Sequence, residues 1–245
     1  MNHSEKTQTF YNQENKEYLR VWQSAAKKNI SNFELFFVGN ALDELAERKK
    51  TKISVLEIGV GPGRIAREIL KRDVDYYGVD IADKMLNEFR QSLASNKIQK
   101  LEQCDVSDKT PFDEQTFDCL VAIRVFYYSA NWRDIVDRLA KKINSGGKII
   151  FTMPNAYSSA QMGKLLRNDF LTGHYCSYAD LRDLLRKNGF TNIKIRGFAR
   201  VPDVVYDLAK SKIAVSLLGF TEKALTILLG KKFLMRMFYV SADKK

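Results

Sequence analysis

Val55-Leu56-Glu57-Ile58-Gly59-Val60-Gly61-Pro62-Gly63-Arg64 joins an apolar strand directly to closely spaced glycines and then to the start of a helix. Backbone without Cβ atoms lets a ligand lie against the chain, and the helix N-terminus behind it supplies N–H groups and partial positive charge. This is the pattern of a nucleotide-type pocket. Seventeen residues after Gly63, Tyr77-Gly78-Val79-Asp80 ends a second apolar strand on a carboxylate, which can accept hydrogen bonds from both hydroxyls of a ribose. The glycines are spaced G-x-G-x-G, whereas a dinucleotide fingerprint needs G-x-G-x-x-G and would place glycine where Arg64 stands. The spacing disfavours a pyrophosphate ligand.

Outward from this stretch the chain alternates strand and helix. Apolar runs predict strands over Ile53–Ile58, Val74–Val79, Ile98–Gln103, Phe117–Ile123, Lys148–Met153, Thr191–Phe198 and Phe233–Val240. Helical patterns cover Asn15–Lys28, Asn32–Arg48, Arg64–Lys71, Lys84–Ser95, Trp132–Ile143, Tyr178–Lys187 and an apolar stretch from Pro202 to Gly230. Ser31 followed by Glu34 has the spacing of a capping box, which predicts that the second helix starts there. Such alternation implies a largely parallel sheet covered on both faces.

With 245 residues, 45% hydrophobic and 28% charged, the chain has the size and composition of one globular α/β domain. Cys104, Cys119 and Cys176 are an odd, scattered set, which suggests neither a disulfide framework nor a zinc site and fits a reducing cytoplasm. No basic-then-apolar leader opens the sequence, and the apolar stretch Ile213–Gly230 is broken by Thr221, Glu222 and Lys223, so no membrane span is expected. The net charge of +11 is concentrated at one end: residues 186–245 hold 13 Lys or Arg against 4 Asp or Glu, and the remainder 27 against 25. Nucleic acid, an anionic membrane surface or a phosphorylated substrate would each be attracted to it. With no run of five like charges and no interleaved aromatics, a solvated surface is the simpler reading and nucleic acid the lesser expectation.

Several segments, in order, resemble the class I S-adenosylmethionine-dependent methyltransferases, in particular the small-molecule group that includes the ubiquinone and menaquinone enzymes. The resemblance covers Ser54 to Phe190. It implies an α/β, Rossmann-like class I methyltransferase fold: a seven-stranded, mostly parallel sheet with helices on both faces and an antiparallel C-terminal strand. Gly59, Gly61 and Gly63 would let the cofactor's methionine and ribose lie on the backbone, and Glu57, where many relatives have Asp, would orient its amino group. Asp80 would hold the ribose, with Ile81 on the adenine and Met85 nearby. In Gln103-Cys104-Asp105-Val106 the acid would accept from the adenine amino group and the Val106 amide would face the ring. Phe117 to Tyr128 resembles the fourth strand and its tip, with Arg124 close to the methionine part. Asn144-Ser145-Gly146-Gly147 resembles the turn into the fifth strand, and Tyr178–Phe190 the helix before the sixth. The implied cofactor is S-adenosyl-L-methionine, with S-adenosyl-L-homocysteine as product. Residues 1–50 would form an N-terminal helical lid, 51–200 the cofactor-binding core, 201–232 a helical insertion, and 233–245 the last strand and tail.

Methyl transfer is an in-line displacement at a sulfonium carbon, so the protein must align, desolvate and sometimes deprotonate the acceptor. His174 is the imidazole suited to take a proton near neutral pH, and a packing or capping role is open to it as well. Tyr127 and Tyr128, at a strand tip, would wall the acceptor, with Tyr11, Tyr18 and Trp22 closing over the site. The apolar Pro202–Lys232 insertion would complete the core, form a homodimer, cover an apolar or lipid-linked acceptor, or rest on anionic headgroups as a peripheral membrane contact. No Asn/Asp-Pro-Pro-Tyr follows the fourth strand, which argues against nucleic-acid amine and protein-glutamine methyltransferases and for a small-molecule acceptor. A tRNA methyltransferase, a non-catalytic S-adenosylmethionine-binding protein and a nicotinamide-dependent dehydrogenase are the competing readings. No metal ligand set is expected.

Overall fold

The computed structural model describes residues 3–13, 25–158, 174–198, 211–229 and 235–245. Seven strands form one sheet in the order β3-β2-β1-β4-β5-β7-β6. They are β1 (Ile53–Ile58), β2 (Val74–Asp80), β3 (Ile98–Gln103), β4 (Phe117–Ala122), β5 (Ile143–Pro154), β6 (Phe190–Phe198) and β7 (Met237–Lys244). β1 to β5 run parallel, and β7 inserts antiparallel between β5 and β6. Seven α-helices are described: α1 (His3–Gln13), α2 (Ala25–Lys49), α3 (Arg64–Ile69), α4 (Asp83–Ser92), α5 (Trp132–Ala140), α6 (Tyr178–Lys187) and α7 (Lys212–Leu229).

Because β1 and β4 are buried on both faces, they read as near-continuous apolar runs rather than alternating ones. Leu56, Leu120, Phe151 and Val240 pack with Trp132, Ile135 and Leu185 from α5 and α6. Val55, Cys119, Ile150 and Tyr239 pack on the other face with Val38, Leu42, Ile69 and Phe89 from α2, α3 and α4. β3 lies at the sheet edge, which is why Lys100 and Gln103 are tolerated there. From β1 the chain builds outward through β2 to β3, then crosses back to place β4 on the other side of β1. That reversal opens a crevice beyond the carboxyl ends of β1 and β4, where open α/β sheets bind their ligands.

Three sequence expectations need correction. α2 runs unbroken from Ala25 to Lys49, so Ser31 and Glu34 lie inside a helix and form no capping box; residues 15–24 of the expected first helix lie outside the described residues. The last strand is Met237–Lys244 where Phe233–Val240 was expected, of which residues 233 and 234 lie outside the described residues; it runs past Val240 because the buried Asp243 is partnered, meeting the buried Lys148 ammonium at 2.7 Å and Arg48 at 3.0 Å. Burial opposes ionisation of Asp243, but bonds from Arg48, Lys148 and Asn192 hold its carboxyl down at about 2. Finally, of the roles open to the Pro202–Lys232 stretch, completing the core is the one its described part does not fit, since Ile213, Leu217, Phe220, Ile227 and Leu228 of α7 are all exposed; residues 202–210 and 230–232 lie outside the described residues.

Candidate functional site

The glycine loop and β2 are locked together by one carboxylate. Asp80 Oδ2 accepts from the Gly61 amide at 2.8 Å and Oδ1 from the Ala82 amide at 2.9 Å, while the Gly59 amide donates to the Val79 carbonyl at 2.7 Å. Gly59 has φ +72°, and a Cβ there would meet Val125 Cγ2 at 2.5 Å, so only glycine lets the β1 loop touch the tip of β4. Gly61, at φ +50°, has nothing within 4 Å of where a Cβ would stand: the space above it is open. Burial pushes the Asp80 carboxyl above its ordinary range, opposed by the Ala82 and Gly61 amides. Each oxygen accepting one amide keeps a second lone-pair direction for a ligand hydroxyl.

Asp105 follows β3 and accepts from the Ser107 amide and hydroxyl at 2.9 and 2.7 Å, which fixes a tight turn. The Val106 carbonyl accepts from Arg138 at 2.6 Å, and Val106 is buried in the core. The Ile81 carbonyl receives two amide side chains, Gln8 from α1 and Gln103 from the end of β3, both at 3.0 Å. Met85 is 1% exposed and therefore supports this corner from within the core.

Glu57 lies buried near the end of β1, with its Oε2 accepting from the Tyr76 hydroxyl at 2.8 Å. Burial pushes its carboxyl up to about 8, with the Tyr76 bond opposing. The folded chain therefore holds a proton between the ordinary 4.5 and about 8 that the unfolded chain releases, so this contribution is complete below 4.5 and is lost as pH rises through 8. Glu57→Gln carries no charge to desolvate and should remove this slope. In urea unfolding it should gain at least about 1 kcal/mol on the parent chain between pH 5 and pH 8. Parallel pH profiles would contradict a protonated Glu57.

Arg124 sits at the tip of β4 with φ +62° and an amide bonded to Thr152 Oγ1 at 2.7 Å. Its side chain turns toward α2, where Nε meets Glu34 Oε1 at 2.7 Å. The reason is Glu34 itself, fully buried and in need of positive partners. Arg64, the first residue of α3, reaches Glu34 Oε2 at 2.6 Å and Ser31 Oγ at 3.1 Å, and the Tyr239 hydroxyl lies 3.2 Å from Oε1. One carboxylate thus ties α2 to the glycine loop, to β4 and to β7.

Three tyrosine hydroxyls converge at the same end of the sheet. Tyr11 of α1 lies 2.7 Å from Tyr128, and Tyr127 donates to Tyr128 at 2.8 Å. α1 thus bridges the corner after β2, through Gln8 and a Lys84–Asn12 bond of 3.0 Å, and the turn after β4. The His174 amide donates to the Tyr127 carbonyl at 2.8 Å, which brings the half-buried His174 beside this group. Tyr18 and Trp22 lie outside the described residues. All three cysteines are buried, and burial pushes each thiol up, Cys104 to about 11, so none is a thiolate at neutral pH. Among the described residues no three His, Cys, Asp or Glu are grouped to hold a metal.

An open α/β sheet with a glycine loop and two carboxylate-fixed turns at the carboxyl ends of adjacent strands is a Rossmann-like architecture. A model of the methyltransferase domain family matches residues 34–195, and the chain belongs to that family. It is 29% identical to a ubiquinone biosynthesis O-methyltransferase of Idiomarina loihiensis over 51% of this chain and 50% of that one. It is also 23% identical to phosphoethanolamine N-methyltransferase 2 of Caenorhabditis elegans over 58% and 33%. The chain thus spans about half, or less, of the length of these relatives. Among solved structures, the magnesium protoporphyrin IX methyltransferase of Synechocystis PCC 6803 with bound S-adenosylhomocysteine has a TM-score of 0.68 over 100% of both chains at 13% identity. A possible histamine N-methyltransferase of Thermotoga maritima has 0.63 over 97% and 99% at 16%. These likenesses share the fold.

Glu34, Tyr76, Gln8, Gln103 and Tyr239 were not legible as site residues. Ser31 and Glu34 match a local capping pattern, and nothing in the sequence marks partners 30, 90 and 205 residues away.

Proposed function

We propose that this chain transfers a methyl group from S-adenosyl-L-methionine to a small-molecule acceptor. The observation that carries the reading is the open space over Gly61 beside Asp80, with Asp105 just past the end of the neighbouring strand, each acid already fixed by backbone amides. The donor set fits that cofactor: carboxylate oxygens suit ribose hydroxyls at Asp80 and an adenine amino group at Asp105. Glu57, beneath the loop, would orient the cofactor's amino group. When bound, the cofactor supplies a methyl carbon activated on a sulfonium.

The chain's own groups do the rest. The Gly59–Gly63 loop holds the methyl donor against the strand ends, and α1 closes over it through Gln8 and Tyr11 as a lid that excludes water. Tyr11, Tyr127 and Tyr128 present linked hydroxyls above the crevice and orient the acceptor. His174, tied to Tyr127 through its backbone, takes the acceptor's proton where a hydroxyl or ammonium must lose one. The curated relatives named above act, by their names, in ubiquinone biosynthesis and on phosphoethanolamine, which supports a small-molecule acceptor.

Incubation with methyl-labelled S-adenosylmethionine and a panel of phenols, amines and porphyrins should yield S-adenosylhomocysteine with at least one acceptor. His174→Gln should lower kcat about 100-fold or more with cofactor affinity unchanged. No turnover above a protein-free blank across the panel would overturn the reading; a full-rate His174→Gln would remove His174 from it.

A further inference from the structure

Helix α7 is built inside out for a core element. Ile213, Leu217, Phe220, Ile227 and Leu228 recur at three- and four-residue spacing along one face, and their exposures run from 64% to 83%. Its one acid, Glu222, is 8% exposed and points away from that face, while Lys223 at the border is exposed. In the sequence, Lys210 and Lys212 precede the stripe, Lys231 and Lys232 follow it, and no acid stands between Lys210 and Lys232 other than Glu222.

We infer that α7 lies flat on a lipid bilayer bearing anionic headgroups, with its apolar stripe sunk among the acyl-chain tops and Lys223 at headgroup level. A soluble amphipathic helix turns such a stripe to the core; one that turns it outward, flanked by lysine, has the charge and shape of an interfacial helix. Charge decides between occupants. A second copy would bring another +11 chain and another lysine-flanked stripe against this one, and like charges at an interface repel. An anionic surface attracts the same lysines. No helix among the described residues is long and apolar enough to cross a bilayer, so α7 rests on it.

Its place in the fold joins this surface to the crevice. Phe198 at the end of β6 pairs with Met237 at the start of β7, and Met237 pairs with Pro154 at the carboxyl end of β5. The excursion that holds α7 therefore leaves and rejoins the sheet at the end that carries the glycine loop. A bilayer under α7 would bring that end of the sheet toward the lipid phase. The binding itself does not depend on the methyltransferase reading.

The test is sedimentation of the full chain with phosphatidylcholine vesicles, with and without about a quarter phosphatidylglycerol. Binding should be at least about tenfold stronger to the anionic vesicles and weaken as salt is raised. Leu217→Ser with Phe220→Ser, and Phe220→Ser alone as the gentler change, should reduce it at least about tenfold and about threefold, with circular dichroism and thermal midpoint unchanged. No binding to anionic vesicles, or equal binding by folded variants, overturns the proposal. So does a chain that is dimeric in light scattering and becomes monomeric in the variants.

Discussion

Glu34→Ala is expected to lower global stability by about 3 kcal/mol and to loosen the glycine loop. The carboxylate is fully buried, and its two oxygens hold Arg64, Arg124 and the Tyr239 hydroxyl. Removing it takes a buried counter-charge from two guanidinium groups at once, and breaking such a pair costs more than its formation contributes. Both arginines are about a quarter exposed, which lets water screen them and places the loss at the lower end of the range for buried pairs. Glu34→Gln keeps the volume and one acceptor and should cost roughly half as much. Urea denaturation of the three chains measures this; a loss under about 0.5 kcal/mol for Glu34→Ala would show that α2 does not depend on its buried charge.

Asp80→Ala should weaken S-adenosylmethionine binding by about 1.5 to 3 kcal/mol, the scale of losing charge-assisted hydrogen bonds. Two effects act in the same direction. The ribose hydroxyls lose an acceptor, and the Gly61 and Ala82 amides lose the carboxylate that fixes the loop beneath them. Asp80→Asn separates the two, because its one carbonyl oxygen can still accept from an amide while the charge is gone. Its affinity should fall between the parent and Asp80→Ala, with a thermal midpoint near the parent's. Equal affinities in all three chains would deny Asp80 a part in binding.

The part of the fold that was legible in the sequence is the part built from local pattern. Val55 to Arg64 shows strand, glycine turn and helix within ten residues, and each feature has a local cause: β burial, φ above zero and a helix start. The positions of Asp80 and Asp105 were legible for the same reason, since Asp80 ends β2, which its own apolar run predicts, and Asp105 stands two residues past β3. Arg124 was legible as a strand-tip residue and its bond to Glu34 was not, because its position is local and its partner is not. The last strand ends four residues later than its apolar run predicts because Asp243 looks like a surface residue until Lys148 and Arg48 arrive from elsewhere. α7 fails in the opposite sense. Its apolar stripe was visible in the sequence, but whether such a stripe meets the core or the outside is a tertiary fact.

The central claim is that the crevice above Gly61 takes S-adenosylmethionine, and calorimetric titration of the purified chain with S-adenosylmethionine and S-adenosylhomocysteine, with NAD as control, tests it most directly. Micromolar binding of both sulfur ligands and none of NAD is the predicted result. Silence with both, or preference for NAD, would contradict the account.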